Sequence, residues 1–217
     1  MRRGDCFDLG EARLVCVGGV GAENATRAAR RLVEAGARGL VSWGCAAALS
    51  PKLKPGDLCL PAHVLDTRAT RWTVSVAWHQ RACRALQGVV DLATEPLLTA
   101  DRLAATAEDK RSLAAKFKAI AVDMESAAVA AVAREHDLPF LAVRAIADPA
   151  HVGLPHAVTR AMDTEGTLHR SVLLGHVLLH PGDAVALVRL ASQFRAALRT
   201  LTRTAGRMGA DVLLDDS

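Results

Sequence analysis

The sequence predicts an α/β protein of three layers, with helices on both faces of a central sheet. Three observations predict it. Short apolar runs alternate with stretches of helical periodicity, Gly- and Pro-rich turns separate the two kinds, and no repeat or low-complexity segment breaks the alternation. At 217 residues the chain suits one domain, 1–217, with a sizeable core.

Residues 13–17 (RLVCV) read as a short strand, and the glycine-rich turn at 18–24 (GGVGAEN) leads into a helix ending near Ala35. Residues 36–44 (GARGLVSWG) return as a second buried strand, a unit that is usually parallel and right-handed. Residues 53–66 form a Pro-Gly-Asp turn and then a strand, with Asp57 able to cap or orient the loop. An extended stretch at 70–76, a helix at 78–86 and a strand at 89–94 come next. A helix at 106–117 follows, with Thr106 as its N-cap. The strand 119–124 (AIAVDM), an Ala/Val-rich helix to His136 and the strand 139–148 (PFLAVRAIAD) complete the sheet. Helices at 168–179 and 183–204, parted by His180-Pro181-Gly182, are expected to close the domain.

Apolar residues make up 51% and charged residues 23%, the balance of a globular chain and not of a disordered one. Tyr is absent and aromatics total 3%, which argues against a nucleic-acid surface built on stacked rings. The net charge of +4 supports no more than general attraction to anions. The five cysteines (Cys6, Cys16, Cys45, Cys59, Cys83) form no Cys-x-x-Cys pair, so they are expected to be reduced thiols, with no zinc or other metal site. No apolar segment follows the basic N-terminus, and the longest uncharged run, 39–51, is shorter than the roughly 20 residues of a spanning helix. A cytoplasmic protein is expected, at most resting on a membrane.

Three places fall just beyond strand ends, where the loops of a sheet gather ligands. Gly18, Gly19 and Gly21 offer backbone amides before a helix, suited to an anion or to an attacking oxygen; taken alone, the motif is better explained as a tight turn that needs positive φ. The small residues at 44–48, including Cys45 and Ala46, let a substrate or a helix approach closely. Met124 and Glu125 stand where a strand becomes a helix, and Asp148 ends an apolar strand before Pro149. Glu125 gains from the helix dipole, and Asp148 is either a loop cap or a general acid whose pKa burial would lift.

Together the segments 122–130 (VDMESAAVA), 138–150 (LPFLAVRAIADPA) and 48–61 (ALSPKLKPGDLCLP) resemble the purine and uridine phosphorylase superfamily, from Arg13 onward. They are most similar to its adenine nucleosidases and hopanoid-associated phosphorylases. The ending IADPAHVGLPHAV … HPGDAVALVRLASQFRAAL favours the hopanoid-associated branch, whose members cut adenine from adenosylhopane. The resemblance implies a mixed, twisted sheet, a homodimer, no cofactor, and a small-molecule adenine nucleoside as substrate, lipid-linked in that branch, with phosphate as the alternative co-substrate to water. It implies that Asp148 protonates or hydrogen-bonds the purine N7, that Glu125 takes the ribose hydroxyls, and that Met124 packs the sugar. Asp101 matches the loop beside the base.

Departures from the pattern sharpen the expectation. Family members begin with a strand whose terminal Glu activates water in the hydrolases; here that strand is expected to be incomplete, with Asp8 and Glu11 the nearest acids. Ser42-Trp43 stand where phosphorylases often place an arginine for phosphate, so hydrolysis is expected over phosphorolysis. Leu103 replaces the aromatic of the adenine nucleosidases. A methylthioadenosine/adenosylhomocysteine-type nucleosidase, a purine nucleoside phosphorylase and a nucleoside-binding homologue without catalysis remain open. On the last helix Leu187, Leu190, Phe194, Leu198 and Leu201 form a core-facing stripe opposite arginines. A basic amphipathic helix on an anionic membrane is the alternative.

Overall fold

All nine residues of the strand Phe140–Asp148 are buried. Successive side chains of a strand point to opposite faces, so this strand is covered on both. The computed structural model describes residues 4–10, 13–155, 158 and 183–209. In chain order its elements are β1 (Cys6–Asp8), β2 (Leu14–Cys16), α1 (Ala22–Glu34), β3 (Leu40–Ala48), β4 (Leu58–Cys59), β5 (His63–Asp66), β6 (Arg71–Thr73) and α2 (Val76–Leu86). There follow β7 (Leu92–Ala93), β8 (Leu97–Thr99), α3 (Ala107–Phe117), β9 (Ala121–Asp123), α4 (Ser126–Glu135), β10 (Phe140–Asp148) and α5 (Asp183–Arg207).

Eight strands form one sheet in the order β6-β5-β8-β9-β3-β10-β4-β7. It is mixed, as expected: β3 runs parallel to β10 and β8 parallel to β9, while β9 lies antiparallel to β3 and β4 antiparallel to β10. Apolar β10 therefore sits inside the sheet, where a strand buried on both faces belongs. Helix α4 packs on β3, β10 and α1, and α5 lies along β10 and touches α2. Local signals set the helix starts. Ser75 caps α2, and Thr106 closes a capping box with Asp109 on α3. Asp57 does orient its turn, its Oδ2 accepting from the Lys54 amide at 2.8 Å.

Several expectations need correction. Residues 14–16 do not join the main sheet; they pair antiparallel with β1 in a separate two-stranded sheet. Two of the three residues of β2 are exposed, so its apolar pattern is not that of a buried strand. Cys6 and Cys16 face each other across this pair and form a disulfide, which overturns the reading of all five cysteines as reduced thiols; Cys45, Cys59 and Cys83 are free. Residues 44–48 are not a loop but the second half of β3, because β10 and β9 pair with them. The segment Leu97–Thr99 is a strand that the pattern did not reveal, and residues 53–66 hold two strands instead of one.

On α5 the core face is narrower than the leucine stripe suggested. Ala197, Thr200, Leu201 and Thr204 are buried, whereas Phe194 and Leu198 are 43% and 54% exposed. Small residues allow the helix to lie close to the Gly56 turn, where Thr200 Oγ1 donates to the Gly56 carbonyl at 2.6 Å. The expected helix at 168–179 and Glu11 lie outside the described residues. No helix among the described residues is long and apolar enough to cross a membrane.

Candidate active site

Arginine is an unexpected residue inside a fully buried strand, and the pairing of β10 with β3 explains how Arg144 is accommodated. Its register partner on β3 is Gly44. A Cβ on Gly44 would lie 2.2 Å from Arg144 Nη1, so the missing side chain leaves the guanidinium a path across β3. It reaches Asp123 at the end of β9, where Nε donates to Oδ2 at 2.7 Å. Nη2 donates to Ser42 Oγ at 2.8 Å and approaches Glu125 Oε2 at 3.5 Å.

Sequence alone offers Asp123 only the role of an acid at a helix N-terminus. It does accept from the Ser126 amide at 3.2 Å, but it also accepts from Thr99 Oγ1 at 2.7 Å and from the guanidinium. With its side chain 1% exposed, this carboxylate is stable only as part of such a network.

Glu125 sits at the N-cap of α4. Its Oε1 accepts from the Gly21 amide at 2.8 Å, and its Oε2 from the Met124 amide at 3.3 Å. The turn bears out the tight-turn reading at Gly19 and Gly21, and the Gly21 amide is taken by Glu125. Gly19 and Gly21 have φ of 95° and 92°, which favours glycine, and the Gly21 amide holds an anion that the chain itself supplies. Burial raises the Glu125 pKa, Arg144 opposes that rise and Asp123 adds to it.

Cys45 and Ala46 lie next to this network on β3, half-buried and buried. Burial pushes the Cys45 thiol up, with Arg144 opposing, which disfavours the thiolate. Met124 is half-buried between Asp123 and Glu125. Gly18 packs on α1, where a Cβ would meet Ala28 Cβ at 3.5 Å.

Asp148 belongs to a second cluster. It ends β10 after a bulge, and its Oδ2 accepts from Lys110 Nζ at 2.6 Å. The Lys110 side chain is fully buried and that of Asp148 is 10% exposed. Burial raises the Asp148 pKa, while the hydrogen bond and charge of Lys110 pull it down. Asp101 is exposed, its Oδ2 accepting from Thr67 Oγ1 at 2.6 Å. A cavity of about 440 Å³ is lined by Gly18, Asn24, Arg27, Arg31 and neighbours, and not by Glu125 or Asp148.

The structure therefore joins Gly21, Met124 and Glu125 beside Arg144, places Cys45 and Ala46 just beyond Gly44 on β3 and Asp148 farther along β10, and leaves Asp101 at the surface. Arg144, Ser42, Thr99 and Lys110 were missed. Arg144 was legible, as one cation in the apolar run FLAVRAIAD. Lys110 was not, because Glu108, Asp109 and Arg111 around it give the pattern of an exposed helix. Glu125 is half-buried beside an arginine that it shares with Asp123, and Asp148 is buried against Lys110; burial raises both pKa values, so one carboxyl can bind a polyol and the other protonate a leaving group.

A model of the family described as the phosphorylase superfamily matches residues 4–180. The 5′-methylthioadenosine/S-adenosylhomocysteine nucleosidase of Buchnera aphidicola subsp. Baizongia pistaciae (strain Bp) is 26% identical over 131 residues, 52% of each chain. The chain thus spans about half the length of the curated relative it matches. Among solved structures, the nucleosidase of the same description from Neisseria meningitidis, in complex with methylthio-immucillin-A, shares the fold. Its TM-score is 0.68 at 17% identity, over 96% of this chain and 88% of that one. A futalosine hydrolase mutant of Helicobacter pylori strain 26695 gives a TM-score of 0.59 at 23% identity, over 62% and 69%.

Proposed function

This chain belongs to the phosphorylase superfamily, and from that premise we propose that it is an enzyme cleaving the N-glycosidic bond of an adenine nucleoside. The observation that carries the reading is a pair of carboxyls, half-buried Glu125 at β9–α4 and buried Asp148 at the end of β10. In this reading Glu125, steadied by the Gly21 amide and Arg144, accepts hydrogen bonds from ribose hydroxyls. In the same reading Asp148, its pKa raised by burial, hydrogen-bonds or protonates N7 of the departing purine. Met124 packs the sugar, Cys45 and Ala46 line the substrate side, the glycine turn bounds the nucleophile side, and Asp101 borders the base. The Buchnera and Neisseria relatives are 5′-methylthioadenosine/S-adenosylhomocysteine nucleosidases, which supports an adenine nucleoside.

Water is the preferred nucleophile. Arg144, the cation beside Glu125, is already bonded to Asp123 and Ser42, so this pair supplies no uncommitted charge for phosphate. Adenosylhopane is the preferred substrate, supported by the similarity of the segment after Asp148 to the hopanoid-associated branch. A cytoplasmic homodimer belongs to the same reading, and light scattering tests its oligomeric state.

The test is chromatographic detection of adenine from 5′-methylthioadenosine, adenosine and adenosylhopane, each with and without phosphate. Adenine released from none of them overturns the proposal; release that requires phosphate overturns hydrolysis alone. A second reading, a nucleoside-binding homologue without turnover, is favoured by one observation. Asp8, an expected stand-in for the water-activating acid, is exposed on β1 and accepts from the Gly10 amide at 2.8 Å. Adenosine binding without adenine release selects it.

A further inference from the structure

A lysine ammonium has three protons to donate, and buried Lys110 donates all three into one short segment. Its Nζ reaches Asp148 Oδ2 at 2.6 Å, the Pro149 carbonyl at 2.8 Å and the Val152 carbonyl at 2.7 Å. The chain on either side is fixed as well. Lys110 follows the capping box of Thr106 and Asp109 in the first turn of α3, and the Leu154 amide donates to the Ala105 carbonyl at 2.8 Å. Gly153 makes this approach close, since a Cβ there would lie 3.1 Å from the Ala105 oxygen. The start of α3 and the turn after β10 are thus one body, and Lys110 is its tie.

We propose that Lys110 is a positioning residue for the cleavage reaction: it grips Oδ2 of Asp148 and the turn behind it, so that Oδ1 is presented to the purine. This rests on the reading of Asp148 as the group that meets the leaving base. Among the described residues no donor reaches Oδ1, so that oxygen is left for substrate. A fully buried lysine with three protein acceptors costs more to desolvate than a packed apolar side chain would. Fixing one carboxyl in one orientation is a function that such a side chain could not perform. Lys110 is also the charged group acting on Asp148; Asp109, in the same turn, is bonded to Thr106, and His151, on the gripped segment, is exposed.

The test compares Lys110→Met and Lys110→Arg with the wild type in two measurements. With 5′-methylthioadenosine as the probe, both variants are expected to lose at least about tenfold in kcat with KM changed by less than about threefold, because orientation and not ribose binding is lost. Arginine keeps the charge, but its planar fork does not fit three acceptors held by one ammonium. Carboxyl ¹³C NMR then follows Asp148 without any turnover. Its titration midpoint is expected to rise by about one pH unit or more in Lys110→Met and to stay in place in Lys110→Arg. Wild-type kcat in either folded variant, or an unmoved midpoint in Lys110→Met, overturns the proposal. If Lys110→Met does not fold, Lys110→Gln, which retains donors but no charge, carries the same two readings. A wild type that releases no adenine from any nucleoside sinks the functional reading alone, and the NMR titration still decides whether Lys110 controls Asp148.

Discussion

Gly44 and Arg144 stand opposite each other in the parallel pairing of β3 and β10, and the side chain that the first lacks is the space the guanidinium of the second occupies. Through that space Arg144 reaches a third strand and neutralises Asp123. One glycine thereby decides whether three strands share a buried ion pair.

Gly44→Ala is expected to push the guanidinium off Asp123, because Nε and Nη2 are pinned and the side chain cannot swing aside without breaking those bonds. A loss of about 3 kcal/mol is expected from overpacking and a weakened buried pair. Urea unfolding measures it; a stability within about 0.5 kcal/mol of wild type would show that Arg144 has another path.

Arg144→Met leaves the Asp123 and Glu125 carboxyls without their cation, and the expected cost is about 3–5 kcal/mol. Arg144→Lys should recover only a small part of that, since one ammonium cannot copy bonds made by Nε to Asp123 and by Nη2 to Ser42. Equal unfolding midpoints for the Arg144→Lys variant and the wild type would contradict the two-pronged role.

The pH dependence of stability has a definite sign at Glu125. Its pKa in the folded protein is raised above the ordinary 4.5, chiefly by burial. Below 4.5 the group is protonated in both states and contributes no difference. As pH rises through 4.5 the unfolded chain loses the proton first while the folded chain holds it, so stability falls with pH until the folded group ionises too. Glu125→Gln removes this titration. The stability of the variant relative to wild type is therefore expected to climb from about pH 4 upward and then level off, as read by thermal unfolding across buffers. A relative stability that falls over this range would mean that Arg144 outweighs burial.

Asp148→Asn preserves an oxygen for Lys110 but cannot donate a proton at physiological pH. Adenine release is expected to fall by about 10²–10⁴ in kcat, the range of a positioned general acid, with circular dichroism unchanged. Turnover near that of wild type would remove Asp148 from the chemistry.

The elements were largely legible because their signals are local. Thr106 with Asp109, the Pro-Gly-Asp turn and the apolar run before Asp148 announce a cap, a reversal and a buried strand from neighbours in sequence. Glu125 and Asp148 were found as candidates for a similar reason, since a carboxyl beside a buried strand is conspicuous. What failed were judgements that depend on a distant partner. Residues 14–16 carry an apolar pattern yet lie in a small separate sheet, because β1 and the Cys6–Cys16 bridge hold them. Residues 44–48 look like a small-residue loop and are strand, because β10 and β9 bond to them.

By itself, then, the sequence determined the α/β class, the order of most elements and two of the acids, since periodicity, capping and turn chemistry act over a few residues. Only the tertiary structure decided what those acids face. Gly21 meets Glu125 across 104 positions, Arg144 meets Ser42 across 102, and Lys110 meets Asp148 across 38. The stability of a buried charge depends on which opposite charge the sheet order brings within about 3 Å, and that order is a property of the packed chain and not of any window along it.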